Sequence, residues 1–153
     1  MRYSRRIFSI ITLLIAGQVM LLNYSVANSP MVFSNNDVAI NGYDPVAYFI
    51  EGKPVKGKVE YAVEWKGATW LFSDMDNQSR FEMSPSEFAP QYGGYCAYAV
   101  SRGYTAMTVP EAWRIVNNKL YLNYSLGVRR IWEKNTAENI RKANKNWPDV
   151  LEK

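Results

Sequence analysis

The chain holds a single cysteine, Cys96, and no histidine among its 153 residues. No intramolecular disulfide can cross-link it, so the fold must rest on buried apolar surface rather than on covalent staples. The material for such a core is present, since 48% of the residues are hydrophobic and 14% are aromatic. The same two facts remove several chemistries. Without histidine there is no Ser-His-Asp or Cys-His catalysis and no His-ligated metal site. A structural zinc site is excluded too, because it needs four thiolates or a Cys/His mixture.

Arg2, Arg5 and Arg6 precede an uncharged apolar stretch from Ile7 to Leu22, and Ser25-Val26-Ala27 follows with small residues. This order predicts a secretory signal peptide over residues 1–27, cleaved after Ala27. The apolar run of about 16 residues is short of the roughly 20 that span a bilayer. The expected location of the mature protein is therefore periplasmic or secreted, with no membrane partner. The signal holds three of the 18 basic residues and none of the 14 acidic ones, which leaves 15 against 14, a net of +1. No basic patch dense enough for nucleic acid remains. Residues 28–35 are polar and lack periodicity, which predicts a flexible leader. The folded domain is expected over 36–153, long enough for one core of its own.

Local patterning predicts the elements. Asn41-Gly42-Tyr43-Asp44-Pro45 reads as a turn, with Asp44 capping a short helix that opens at Pro45. Glu51 to Lys58 reads as an exposed loop. Val59, Tyr61, Val63 and Trp65 alternate with Glu60 and Glu64, and Trp70 and Phe72 alternate after Lys66-Gly67. That is the signature of a β-hairpin. Ser73 is placed to cap a helix running to Met83, with Asp74 and Asp76 in its first turn. Pro85 to Phe88 reads as one more helical turn. Trp113 to Val116 and Lys119 to Asn123 flank Asn117-Asn118 as a second hairpin. Ser125 to Asn135 and Thr136 to Asn146 read as helices, with Ile140, Ala143 and Trp147 on one face and Pro148 as a stop. The order of strand pair, helix, strand pair and helices predicts an α+β domain.

The densest run of unusual residues is Tyr92-Gly93-Gly94-Tyr95-Cys96-Ala97-Tyr98. The glycine pair permits a close backbone approach. A helix opening at Gly94 or Tyr95 would put Cys96 in its first turn, where free amides favour a thiolate. A buried cysteine acting as a small hydrophobe is the plain alternative. Tyr92, Tyr95, Tyr98 and Tyr104 surround it in sequence, either as core or as an aromatic wall for a cation or flat ligand. Met75, Met83 and Met107 could offer thioethers to Cu(I), or fill gaps.

Three separated motifs resemble the YHS domain family, and more closely its exported subgroup. They are Gly-Tyr-Asp-Pro-Val-Ala-Tyr-Phe at 42–49, Tyr-Gly-Gly-Tyr-Cys-Ala-Tyr-Ala at 92–99 and Lys-Leu-Tyr-Leu-Asn-Tyr at 119–124. The hairpin stretch up to Pro90 is similar to the family as well. The resemblance implies a small YHS-like α+β domain with two hairpins and several short helices. It also implies a bound heavy metal such as copper or another soft ion. The family's usual thiol positions fall here on Ala47 and Ser73, neither a soft ligand. The binding candidates are then Tyr43, Asp44, Tyr92, Gly93, Gly94, Tyr95, Cys96 and Tyr98, and the metal candidates are Cys96 and Met107. Three functions follow: a metal-binding protein using Cys96, a thiol redox enzyme with Cys96 as its catalytic residue, or a domain that binds a small ligand or partner with Cys96 buried.

Overall fold

Lys66 and Gly67 both take positive φ, 51° and 76°, and so do Asn117 and Asn118, at 49° and 57°. Two left-handed residues in succession make the tight turn whose twist matches paired strands. Each pair therefore closes a hairpin where the sequence places one. The computed structural model describes residues 28–153, so the signal peptide expected over 1–27 lies outside the described residues. Among the described residues, no helix is long and apolar enough to cross a membrane.

The elements in chain order are β1 (Ser34–Asn35), β2 (Val38–Ala39), α1 (Ala47–Ile50), β3 (Lys58–Trp65), β4 (Ala68–Phe72), α2 (Met75–Met83), α3 (Pro85–Phe88), α4 (Ala97–Ser101), β5 (Trp113–Val116), β6 (Lys119–Leu122), α5 (Leu126–Glu133) and α6 (Thr136–Asn146). The fold is α+β. One sheet has the order β1-β2-β4-β3, and β5 pairs with β6 in a second, two-stranded sheet. β2 runs parallel to β4, while β3 and β4 form the antiparallel hairpin.

Two apolar clusters form the interior. The first, under the larger sheet, gathers Ile40, Tyr48, Trp70, Phe72 and Phe81 with Leu120 and Leu122. The second gathers Tyr92, Tyr95, Val100, Trp132 and Ala143 with Tyr121. β6 lies between them. Its alternation sends Leu120 and Leu122 to the first cluster and Tyr121 to the second, as a strand buried on both faces must. Ile140 and Ala143 share a face of α6 against the second cluster, as helical spacing predicts, whereas Trp147 packs there from just past the helix, with extended backbone.

Three expectations need correction. Val59 does not continue the apolar face of β3. The pairing register shifts between Lys58 and Ala62, and Val59 is left 76% exposed. An irregularity of this kind turns the strand and breaks the alternation. Second, residues 28–35 are not a flexible leader. Val32 is buried in the first cluster, Ser34 and Asn35 form β1, and the Ser29 N–H donates to the Leu151 carbonyl at 2.9 Å. Third, Asp74 rather than Ser73 caps α2, with its carboxylate accepting the Asn77 N–H at 2.9 Å. Ser125, the first residue of the helix expected over Ser125 to Asn135, caps α5 and accepts the Val128 N–H at 3.2 Å.

Candidate functional site

The glycine pair was expected to admit a ligand. It admits the chain's own N-terminal segment instead. Gln91 to Gly94 form a turn of 3-10 helix in which Tyr92 and Gly93 take left-handed φ, 57° and 60°. A Cβ on Gly93 would sit inside the Met31 carbonyl, and one on Gly94 would press on the Ile40 side chain. The Gly93 carbonyl accepts the Phe33 N–H at 2.9 Å. Tyr92 and Tyr95 belong to the second core. Their hydroxyls donate to Asn144 Oδ1 and the Pro30 carbonyl, both at 2.9 Å. Burial pushes both phenols above their ordinary pKa. These four residues build the scaffold behind Cys96.

Tyr43 and Asp44 also stand apart from Cys96. Asp44 is fully buried and acts as a joint. Its Oδ1 accepts the N–H groups of Val46 and Ala47 at 2.8 and 3.2 Å, which caps α1 as the sequence predicts. Its Oδ2 accepts the Ser73 N–H, the Ser73 hydroxyl and the Asn77 amide, each at 2.8 Å. One carboxylate thus ties α1 to the end of β4 and to α2. The Tyr43 ring is covered by the Lys56 ammonium, 4.7 Å from its centroid.

Cys96 lies one residue before α4, rather than in a helix's first turn, and is 1% exposed. Two backbone bonds hold it: its N–H donates to Ala106, and its carbonyl accepts from Val100, both at 3.0 Å. The sulfur meets the strand that separates the two cores. Past the end of β6, the Asn123 N–H donates to the Ala112 carbonyl at 2.8 Å, and the Asn123 carbonyl accepts from Val109 at 3.2 Å. Asn123 is fully buried as a result. Its Oδ1 accepts the Tyr98 N–H at 3.2 Å and the Cys96 thiol at 3.7 Å. The next residue, Tyr124, donates its N–H to Cys96 Sγ at 3.3 Å. The Asn123 Nδ2 has no hydrogen-bond partner among the described residues.

A cup of about 260 Å³ opens over the sulfur. Tyr98, Tyr104 and Tyr124 line it with Ala99, Ala106 and Val128. Tyr104 and Tyr124 are 53% and 51% exposed, so the cup faces outward. Among the described residues, no carboxylate, lysine or arginine lines it. Met107 is 53% exposed and does not line the cup, so the structure does not place a thioether there beside Cys96. Among the described residues, no group of three or more Cys, Asp or Glu side chains is arranged to hold a metal ion.

The redox reading calls for a depressed thiol pKa, and the environment works the other way. Burial pushes the Cys96 thiol up, and backbone hydrogen bonds from Ala99, Tyr124 and Tyr98 offset this only in part. Less thiolate is then present at neutral pH than for a free cysteine. Alkylation of the native protein with iodoacetamide at about pH 7 is expected to be roughly tenfold or more slower than alkylation of the unfolded chain. The native rate should rise only above the ordinary thiol pKa of about 8.5. Equal rates for native and unfolded protein would contradict the placement of the sulfur.

Of the sequence candidates, Cys96, Tyr98 and Tyr104 meet at the cup. Tyr104 was legible as part of the tyrosine-rich run. Asn123 and Tyr124 carried one signal, their place in the Lys119–Tyr124 motif. Ala106 and Val128 carried none, because only the tertiary packing brings them to the sulfur. No protein-family model, curated protein or solved structure matches this chain.

Proposed function

We propose that this chain is an exported binding domain whose site is the tyrosine cup over Cys96. Export rests on the reading of residues 1–27 as a signal. The observation that carries the binding reading is the cup itself. It is an outward-opening aromatic cavity with one buried thiol at its floor and, among the described residues, no charged side chain in its wall. Sites of this composition hold ligands by apolar and aromatic contact, with a few polar groups for orientation. Among the described residues, no carboxylate or lysine stands in the wall for general acid–base work. At about 260 Å³ the cup lies below the roughly 300–1,000 Å³ of drug-sized pockets, which favours a small ligand or one chemical group of a larger one.

The test is an NMR titration of the labelled mature protein with phenol, indole and choline, read at the backbone and ring signals of Tyr98, Tyr104 and Tyr124. At least one probe is expected to shift those signals and to slow Cys96 alkylation. Val128→Phe, which fills the cup, is expected to abolish the shifts while leaving the fold intact. If none of the three probes moves the cup signals, the reading fails.

A soft metal ion such as copper is the second reading. The N–H groups of Tyr98, Ala99 and Tyr124 favour it, because they stabilise negative charge on the sulfur. The YHS resemblance supports it through the family alone. Ala47 and Ser73, the positions carried over from the family's thiols, both hydrogen-bond Asp44, so a carboxylate joint occupies that place here. Equilibrium dialysis against Cu(I) should show uptake by the wild type and a loss in Cys96→Ser. Equal uptake by the two proteins would end the metal reading.

A further inference from the structure

We infer that the cup takes a quaternary ammonium group, held against the rings of Tyr98, Tyr104 and Tyr124. This rests on the reading of the cup as a binding site and names its ligand class. Three tyrosines converge on one small cavity whose remaining wall is alanine, valine and a thiol. Aromatic faces carry negative potential, and several of them around one cavity favour a cation over a neutral group of the same shape.

The protein's other lysine–aromatic pairs sharpen the point. Lys56 lies 4.7 Å from the Tyr43 centroid, Lys58 5.7 Å from Tyr61, and Lys66 4.5 Å from Trp65. Among the described residues, none of the three cup tyrosines has an ammonium or guanidinium over it. Their rings are free to receive a cation from outside.

The composition of the wall then selects the kind of cation. A primary ammonium carries three N–H donors and a tight hydration shell. Entering the cup would strip that shell, with no carboxylate in the wall to replace it. A quaternary ammonium has no donor to satisfy and spreads its charge over methyl groups. It loses less on desolvation, and its methyls pack against Ala99, Ala106 and Val128. Its size also suits a cup of about 260 Å³.

The test compares choline with its neutral isostere 3,3-dimethyl-1-butanol and with ethanolamine, by NMR titration of the mature protein. Choline is expected to bind at least about fivefold more tightly than either. Tyr104→Leu and Tyr124→Leu should each weaken choline by roughly threefold or more and leave the isostere nearly unchanged. Tyr104→Phe and Tyr124→Phe keep the ring and should retain choline binding. An isostere that binds as tightly as choline overturns the quaternary ammonium and leaves the cup standing as a neutral-ligand site. Leu variants that keep the full preference for choline overturn the role of the rings. The wild-type comparison needs no variant to fold.

Discussion

Asp44→Ala is expected to destabilise the folded domain by about 4 kcal/mol, the largest effect of any single polar substitution considered for this chain. Asp44 satisfies five donors from three elements: the N–H groups of Val46, Ala47 and Ser73, the Ser73 hydroxyl and the Asn77 amide. Alanine removes the acceptor and leaves those donors in or near a fully buried position. A hydrogen bond to a charged group contributes about 1.5–3 kcal/mol, and an orphaned buried donor costs about 1–3 kcal/mol. The terms are not additive, because Ser73 and Asn77 can partly re-pair with each other, as their 3.3 Å contact shows. In thermal unfolding the change corresponds to a fall of roughly 15 °C. Asp44→Asn keeps one oxygen but turns an amide N–H toward the remaining donors, so it should lie between alanine and the wild type. A loss below about 1 kcal/mol for the alanine variant would show that Asp44 does not join these elements.

Gly93→Ala is the second large effect, expected at about 2–4 kcal/mol. Two costs combine. The residue has φ +60°, where an L side chain is strained, and the new Cβ would occupy the space of the Met31 carbonyl. Backbone cannot yield there as the tip of a flexible side chain would. The N-terminal segment must therefore lift, losing the Phe33–Gly93 backbone bond and the Tyr95–Pro30 bond. The measurement is amide hydrogen exchange at Phe33 together with proteolysis within residues 28–35, both of which should accelerate. Gly52→Ala is the control. Its φ is +64°, but nothing lies within 4 Å of a Cβ there, so it should cost only about 1 kcal/mol. Equal costs at the two glycines would mean that the close approach at Gly93 contributes nothing.

These two positions show what kind of information the sequence carried. Asp44 was legible as a helix cap, because capping is local: its Oδ1 meets residues two and three positions on. Its second oxygen meets Ser73 and Asn77, 29 and 33 residues away, and no periodicity announces that. Gly93 was legible as a point of close approach, but the approaching object was not. The alternation that predicted the first hairpin broke at Val59, where the register shift depends on how β3 lies against β4.

The lone cysteine follows the same division. The sequence by itself determined that Cys96 has no disulfide partner within the chain and no histidine to activate it. It also determined both hairpin turns and the cap of α1, because each depends on residues within a few positions of one another. Only the tertiary structure decided what surrounds the sulfur. The Asn123–Tyr124 backbone arrives from the end of β6, Val128 from α5 and Ala106 from the segment after α4. It also decided the sulfur's chemistry, since burial raises the thiol pKa and the amides at the start of α4 offset that only in part. Desolvation is the sum of contacts from every element that packs around an atom, and those contacts exist only once the chain has closed on itself.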